Sequence, residues 1–331
     1  MKQMKVLVTG GAGFIGSHLV ERLLHDGHEV AVIDNFSTGL EENLIAVKNS
    51  PRLHVHEADV ADFDAVLKIV PGADWVFHIA GLSSLVPSIE KPLDYFHSNI
   101  TGTASILEAA RKVGVRRFIY AASSSSYGIP DNYPTKETDE IRPQYPYAES
   151  KYAGERLALH YGKIYKFPVI SLRLFNVYGP RVRTDSGYGA ALGVFLAQKV
   201  NGKPLTIVGD GTQKRDFTFV TDVADAFIKA AESSVSGEVF NVGSGKPESV
   251  NRMAELIGGT EKVFLPKRPG EPEQTFADIS KITSVLGWRS AVSFEEGIKI
   301  VLAHAENWKN APVWTEEKIK EATKNWFEYL S

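Results

Sequence analysis

Three glycines crowd the turn that follows the first apolar run of this 331-residue chain, and they leave few folds open. Val6, Leu7 and Val8 read as a strand buried on both faces of a parallel sheet. Thr9, Gly10, Gly11, Ala12 and Gly13 then turn the chain. Phe14, Ile15, Leu19, Leu23 and Leu24 follow at helical spacing. Strand, glycine turn and helix, in that order, form a site for a dinucleotide pyrophosphate. Gly10, Gly11 and Gly13 allow the tight turn and a close backbone approach, and Gly16 lets the helix lie against the strand. Free N–H groups at the helix start then face the phosphates. The next apolar run, residues 29–33, ends in Asp34, about 20 residues past the glycines, where a carboxylate accepts both ribose hydroxyls. That carboxylate would repel a 2′-phosphate, and no arginine stands in residues 35–43. NAD rather than NADP is therefore expected.

The bulk properties exclude other classes. A net charge of −3 without a basic run argues against nucleic acid as a partner. No apolar run approaches the roughly 20 residues of a membrane span. The charged start and apolar residues 6–8 are cut off at once by the glycine turn, so no signal peptide is read there. Without cysteine there is no disulfide, thiolate nucleophile or Cys-ligated zinc, and a cytoplasmic location is the default expectation. His54 and His56 share a strand face but lack a third ligand, so no metal site is expected.

Strand and helix signals alternate through residues 1–178: strands at 53–57, 75–79, 117–121 and 169–174, with helices at 62–70, 92–113 and 145–165. This predicts an α/β fold with a doubly wound parallel sheet of the Rossmann type, whose ligands sit beyond the carboxyl ends of the strands. Asp34, Asp59, His78 and the serines after Ala122 all fall at those ends. From residue 179 glycine and proline become frequent, and residues 179–309 read as a smaller C-terminal, substrate-binding lobe, with 208–211 a hairpin-type turn. Sheet or helix contributions from this part to the first domain are left open. Residues 310–331 form an extension in which Ile319, Ala322, Trp326 and Leu330 make an apolar stripe, expected to dock as a helix.

Tyr147 and Lys151 stand four apart in a helical segment and project from one face. A tyrosine titrates near 10 and is a poor base at neutral pH; a neighbouring ammonium favours its phenolate. Pro146 suits the helix start and sets Tyr147 at the end facing the cofactor. The serine tract 123–126 follows a strand, where a hydroxyl can bond a reacting oxygen.

These pieces together resemble the extended short-chain dehydrogenase/reductase family, and within it the nucleotide-sugar epimerases and dehydratases. The resemblance spans residues 4–309. It rests on TGGAGFIG (9–16), Asp34, HIAG (78–81), Asn99, AASSSSYG (121–128), YAESK (147–151), RLFNVYGPR (173–181), GDGTQKRDF (209–217), VTDVADA (220–226) and RPGEPEQTFADISK (268–281). It implies bound NAD held by Gly10, Gly13, Phe14, Ile15, Gly16, Asp34, Asn35, Asp59, Val60, Ala80 and Asn99, with Tyr147 and Lys151. It implies a catalytic set of Ser123, Tyr147 and Lys151. A nucleoside-diphosphate sugar, UDP-linked by the same resemblance, would meet Ser84, Ser123, Ser124, Asn176, Arg215, Arg268, Glu271 and Thr275.

Two arginines suit a diphosphate, which they can grip bidentately. The family's dehydratases carry Thr-Asp-Glu where this chain has Ser123, Ser124 and Ser125, so the resemblance points to 4-epimerisation. A small Thr275 implies room for a 2-acetamido group. A reductase, 2-epimerase or dehydratase on the same scaffold stays open, as does a non-catalytic dinucleotide sensor. A homodimer is expected through helices 92–113 and 145–165, with Ile106, Tyr152, Leu159 and Ile164 as apolar material. Gly81, residues 182–186 and the 310–331 extension depart from the family pattern.

Overall fold

A computed structural model describes residues 2–182, 191–259 and 261–330. Strands β1 (Lys5–Thr9), β2 (Glu29–Asp34), β3 (Leu53–Glu57), β4 (Trp75–His78), β5 (Arg117–Ser123) and β6 (Val169–Leu174) pair in parallel. A seventh parallel strand, Glu238–Val242, joins beside β6, giving the order 238–242, β6, β5, β4, β1, β2, β3. The sheet therefore draws its last strand from beyond residue 178, the contribution that the sequence left open.

Helices cover both faces, as the continuous apolar strands require. On one face α1 (Phe14–His25) and helix Val220–Glu232 bury Leu19, Leu23, Val223 and Phe227. On the other, α2 (Phe63–Ile69), α5 (Gly102–Val113) and α6 (Pro146–Tyr165) bury Val66, Ile106, Leu107 and Ala158. Each such side chain larger than alanine contributes roughly 1.5–3 kcal/mol. A third core, with Phe195, Ile207, Met253 and Ile298, builds the C-terminal lobe.

Several expectations need correcting. The helix expected over 92–113 is three pieces: α4 (Pro92–Phe96) follows a short α3 (Leu85–Glu90), and a π-helical turn, His97–Thr101, separates α4 from α5. The wide turn carries buried Asn99, whose side chain bonds both the N–H and the C=O of Leu82 and the Ser150 hydroxyl. Residues 208–211 do turn, but not as a hairpin. Strand Leu205–Val208 pairs in parallel with Lys262–Leu265, while Lys214–Arg215 pairs with Glu248–Ser249. Ile106 is buried in its own subunit's core and is not free for a dimer bundle. Tyr152 and Leu159 are half-buried, and Ile164 is exposed. The extension folds as two short helices, Glu316–Ala322 and Lys324–Leu330, not one. The departure at residues 183–186 lies outside the described residues. Among the described residues no helix is long and apolar enough to cross a membrane.

Behind the sheet end, His78 is fully buried between two hydroxyls, Thr9 Oγ1 at 2.7 Å from Nδ1 and Thr103 Oγ1 at 2.9 Å from Nε2. Thr103 donates to the Asn99 carbonyl, so Nε2–H donates to Thr103 and Nδ1 accepts from Thr9. The Thr9 oxygen in turn receives the N–H groups of Ile79 and Ala80. Burial, with the Lys151 charge adding to it, pushes the imidazole down to about 3. The unfolded chain therefore binds the proton first. Stability should be lost as pH falls from about 6.5 towards 3, by at most about 1.4 kcal/mol per pH unit. Urea midpoints between pH 7 and 4 should fall less steeply in His78→Asn than in the parent; equal slopes would refute this assignment.

Candidate active site

A cleft of about 1050 Å³ runs along the carboxyl ends of the central strands and into the C-terminal lobe. Its first arm is the glycine turn. Gly10 has φ +69°, and a Cβ there would lie 2.8 Å from the Ala80 backbone. A Cβ on Gly16 would lie 2.1 Å from the Gly10 carbonyl oxygen. Both positions thus exclude a side chain, and helix α1 begins at the Gly13 cap with its first N–H groups turned to the cleft end. Asp34 is buried; Oδ2 accepts from Ala12 N at 2.9 Å and Oδ1 from Phe36 N at 2.9 Å. Burial raises its pKa against the pull of those two bonds. The two N–H groups fix the carboxylate, which retains lone pairs for ribose hydroxyls. Backbone and carboxylate both fit a dinucleotide. Gly13, Phe14, Ile15, Asn35, Val60 and Ala80 line the same arm.

Two expected contacts stand off the lining. Asp59 accepts from Ala61 N and faces His97 at 3.4 Å. Asn99 lies beneath the 81–82 loop and holds its backbone, so its place is under the arm's floor.

The second arm holds Ser123, Ser124, Tyr147 and Lys151. Strand β5 ends in Ser123, and Pro146 opens α6, so Tyr147 lies in its first turn. The Tyr147 hydroxyl donates to Ser123 Oγ at 3.2 Å, and Ser123 Oγ lies 2.8 Å from Ser125 Oγ. Tyr147 is pushed up by burial, with the Ser123 and Ser125 hydroxyls pulling it back. Lys151 is pushed down to about 8 by burial, with Glu155 opposing. Its Nζ lies 4.7 Å from the Tyr120 ring centroid. The sequence reading expects a neighbouring ammonium to lower the phenol; burial instead raises it in the protein by itself.

Beneath this arm, Glu155 and Arg173 form a buried ion pair at 2.6 Å. Ser171 donates to Glu155, and Arg173 donates to the Tyr127 hydroxyl. Removing one partner of such a pair costs about 3–5 kcal/mol. Gly154 lets α6 close on β5, since a Cβ there would stand 2.3 Å from the Tyr120 hydroxyl.

The third arm gathers Ser84, Asn176, Arg215, Arg268, Glu271 and Thr275. Glu271 lies between the arginines, at 3.5 Å from Arg215 and 3.4 Å from Arg268. Two guanidiniums against one carboxylate leave a net positive charge. Burial lowers Arg215, with Glu271 the main opposing influence. Thr275 Oγ1 donates to Asn176 Oδ1 at 2.8 Å and accepts from Asp216 N at 3.0 Å. Its hydrogen is thus engaged, and one lone pair of its oxygen is left over.

Sequence reading missed Tyr145 and Tyr95. The Tyr145 ring stacks on Tyr147 with centroids 6.3 Å apart, and Tyr95 meets Tyr147 edge-on at 6.4 Å. The Tyr145-Pro146-Tyr147 triplet was the available signal for the first.

An arm with two arginines, a tyrosine bonded to a serine and a glycine turn fit for a dinucleotide share one cleft. That arrangement suits proton and hydride exchange at a carbinol of an anionic substrate. The cleft's carboxylates among the described residues are Asp34, Asp94 and Glu271, while Ser123 and Tyr147 are bonded to hydroxyls.

Residues 6–243 match the NAD dependent epimerase/dehydratase family. A UDP-glucose 4-epimerase of Mycolicibacterium smegmatis is 37% identical over 302 residues, 89% of this chain and 96% of that protein. A UDP-N-acetylglucosamine 4-epimerase from Methanobrevibacter ruminantium, solved with UDP-N-acetylmuramic acid, superposes with a TM-score of 0.87 at 36% identity. It covers 92% of this chain and 98% of its own. A Thermus thermophilus UDP-glucose 4-epimerase solved with NAD gives 0.82 at 36% identity, over 92% and 99% of the two chains.

Proposed function

This chain belongs to the NAD dependent epimerase/dehydratase family, as a nucleotide-sugar epimerase with NAD as its cofactor, and we propose that it inverts C4 of a UDP-hexose, 2-acetamido sugars included. The observation that carries this reading is the Tyr147–Ser123 hydrogen bond beside Lys151, with serines at 124 and 125 where an eliminating enzyme needs carboxylates.

In this reading Tyr147, as phenolate, takes the proton of the 4-hydroxyl, and Ser123 donates to the 4-oxygen as it becomes a carbonyl. The glycine turn and Asp34 would hold NAD, which would supply reversible hydride acceptance at C4. Arg215 and Arg268 hold the diphosphate while the flat 4-keto sugar turns about it. Tyr147 then returns the proton to the oxygen of the inverted carbinol. Nothing is oxidised or reduced overall, and no base or acid beyond Tyr147 is required. The names of the similar proteins support UDP and both glucose- and N-acetylglucosamine-type sugars.

The test is incubation of the purified protein, without added cofactor, with UDP-N-acetylglucosamine and UDP-glucose, followed by proton NMR. The expected result is a mixture of each sugar with its C4 epimer. Absence of any epimer from a protein that carries NAD, or change at a carbon other than C4, would reject the reading.

A further inference from the structure

The C-terminal extension lies on the cleft. Ile319, from the first of its helices, is buried and forms part of the cleft wall. Trp326, from the second, is 2% exposed. Its Nε1–H donates to the Pro269 carbonyl at 2.7 Å, and its ring centroid lies 5.2 Å from the Arg268 guanidinium carbon. Arg268 meets Glu271 at 3.4 Å, so one indole sets the backbone and the charged group of the same loop. That loop turns through Gly270 at φ +71°, next to Leu330. Asn325 donates to Glu90 at 3.0 Å, and the last helix packs on α3, whose N-cap is the cleft residue Ser84. The extension thus links the arginine loop to α3.

We propose that the C-terminal helices complete the sugar-nucleotide site and that Trp326 is a positioning residue, holding Arg268 ready for the diphosphate. The proposal rests on Arg268 being a diphosphate ligand, as read above. A guanidinium on a long, flexible stem loses rotamer freedom when it grips an anion. Stacking on a buried indole removes that freedom beforehand, so less is lost on binding. The Nε1–H bond does the same for the loop backbone. Neither effect touches the reacting carbon, so the consequence is for affinity and not for the chemical step.

The experiment uses the full-length protein with its bound cofactor and UDP as the calorimetric probe. Arg268→Ala should weaken UDP by about tenfold, and Trp326→Ala by a similar factor. Trp326→Phe keeps a ring under the guanidinium and should recover most of the loss. The double variant Arg268→Ala/Trp326→Ala should bind UDP no more weakly than Arg268→Ala. In turnover, Trp326→Ala should raise KM by the factor seen for UDP and leave kcat within about twofold. Additive losses in the double variant, or a fall in kcat with unchanged UDP affinity, would overturn the proposal. Should Trp326→Ala not fold, Trp326→Leu, which fills the space without a ring, decides the same coupling with and without Arg268→Ala. Normal UDP binding by Arg268→Ala would instead remove the reading beneath it, a result distinct from an Arg268 effect without a Trp326 effect.

Discussion

Tyr147→Phe should lower kcat by about 10²–10⁴ while the purified protein keeps its NAD and its affinity for UDP. The ring stays, so the packing on Tyr145 and Tyr95 is retained. What goes is the hydroxyl that donates to Ser123 at 3.2 Å. In the proposed site this hydroxyl is both base and acid, so its loss acts on each half of the cycle. Ser123 cannot replace it, because a neutral alcohol is a far weaker base than a phenolate. Stopped turnover with intact binding would place Tyr147 at the reacting oxygen. Near-normal turnover would mean that another group moves the proton.

Thr275→Tyr should cut kcat/KM for UDP-N-acetylglucosamine by about 10²-fold, with UDP-glucose losing about tenfold at most. The argument is one of volume. Thr275 lines the sugar arm and is held by Asn176 and Asp216 N, so its side chain is fixed and small. A phenol at this place fills space that an acetamide needs and a hydroxyl does not. The substitution also takes a hydroxyl from Asp216 N, which is why some loss with both sugars is expected. Thr275→Val separates the two effects: it removes the bonds and keeps the volume, so it should lower both activities alike and leave their ratio unchanged. Equal losses with both sugars in Thr275→Tyr would defeat the volume argument.

The sheet and its ligand edge were legible because their signals are local. Buried parallel strands are unbroken apolar runs, and the glycine turn has steric requirements that few other residues meet. Gly16, packed onto the Gly10 carbonyl, is such a case. The seventh strand was harder to place: residues 238–242 are separated from the first domain by much of the other lobe, and only tertiary pairing with β6 puts them in the sheet. The π turn was hidden as well, because Asn99 widens the helix to hold the Leu82 backbone, a contact that no spacing rule predicts. Within the site, Tyr147 and Lys151 could be read from a helical spacing of four. The balance of charge could not. Burial sets Tyr147 above its ordinary value and Lys151 below, and burial is a property of the folded surroundings. Trp326 shows the same limit. Its apolar stripe was plain, but that it would dock on the Arg268 loop was not.

The central claim is that C4 is inverted by a hydride that leaves and returns within the site. Epimerisation of UDP-N-acetylglucosamine in D₂O, followed by NMR at C4 of both epimers, tests it most directly. The account predicts that the epimer forms with protium at C4, because the hydride never exchanges with solvent while the hydroxyl proton does. Deuterium at C4 would show that carbon is inverted by removal and return of a proton, and would contradict the account.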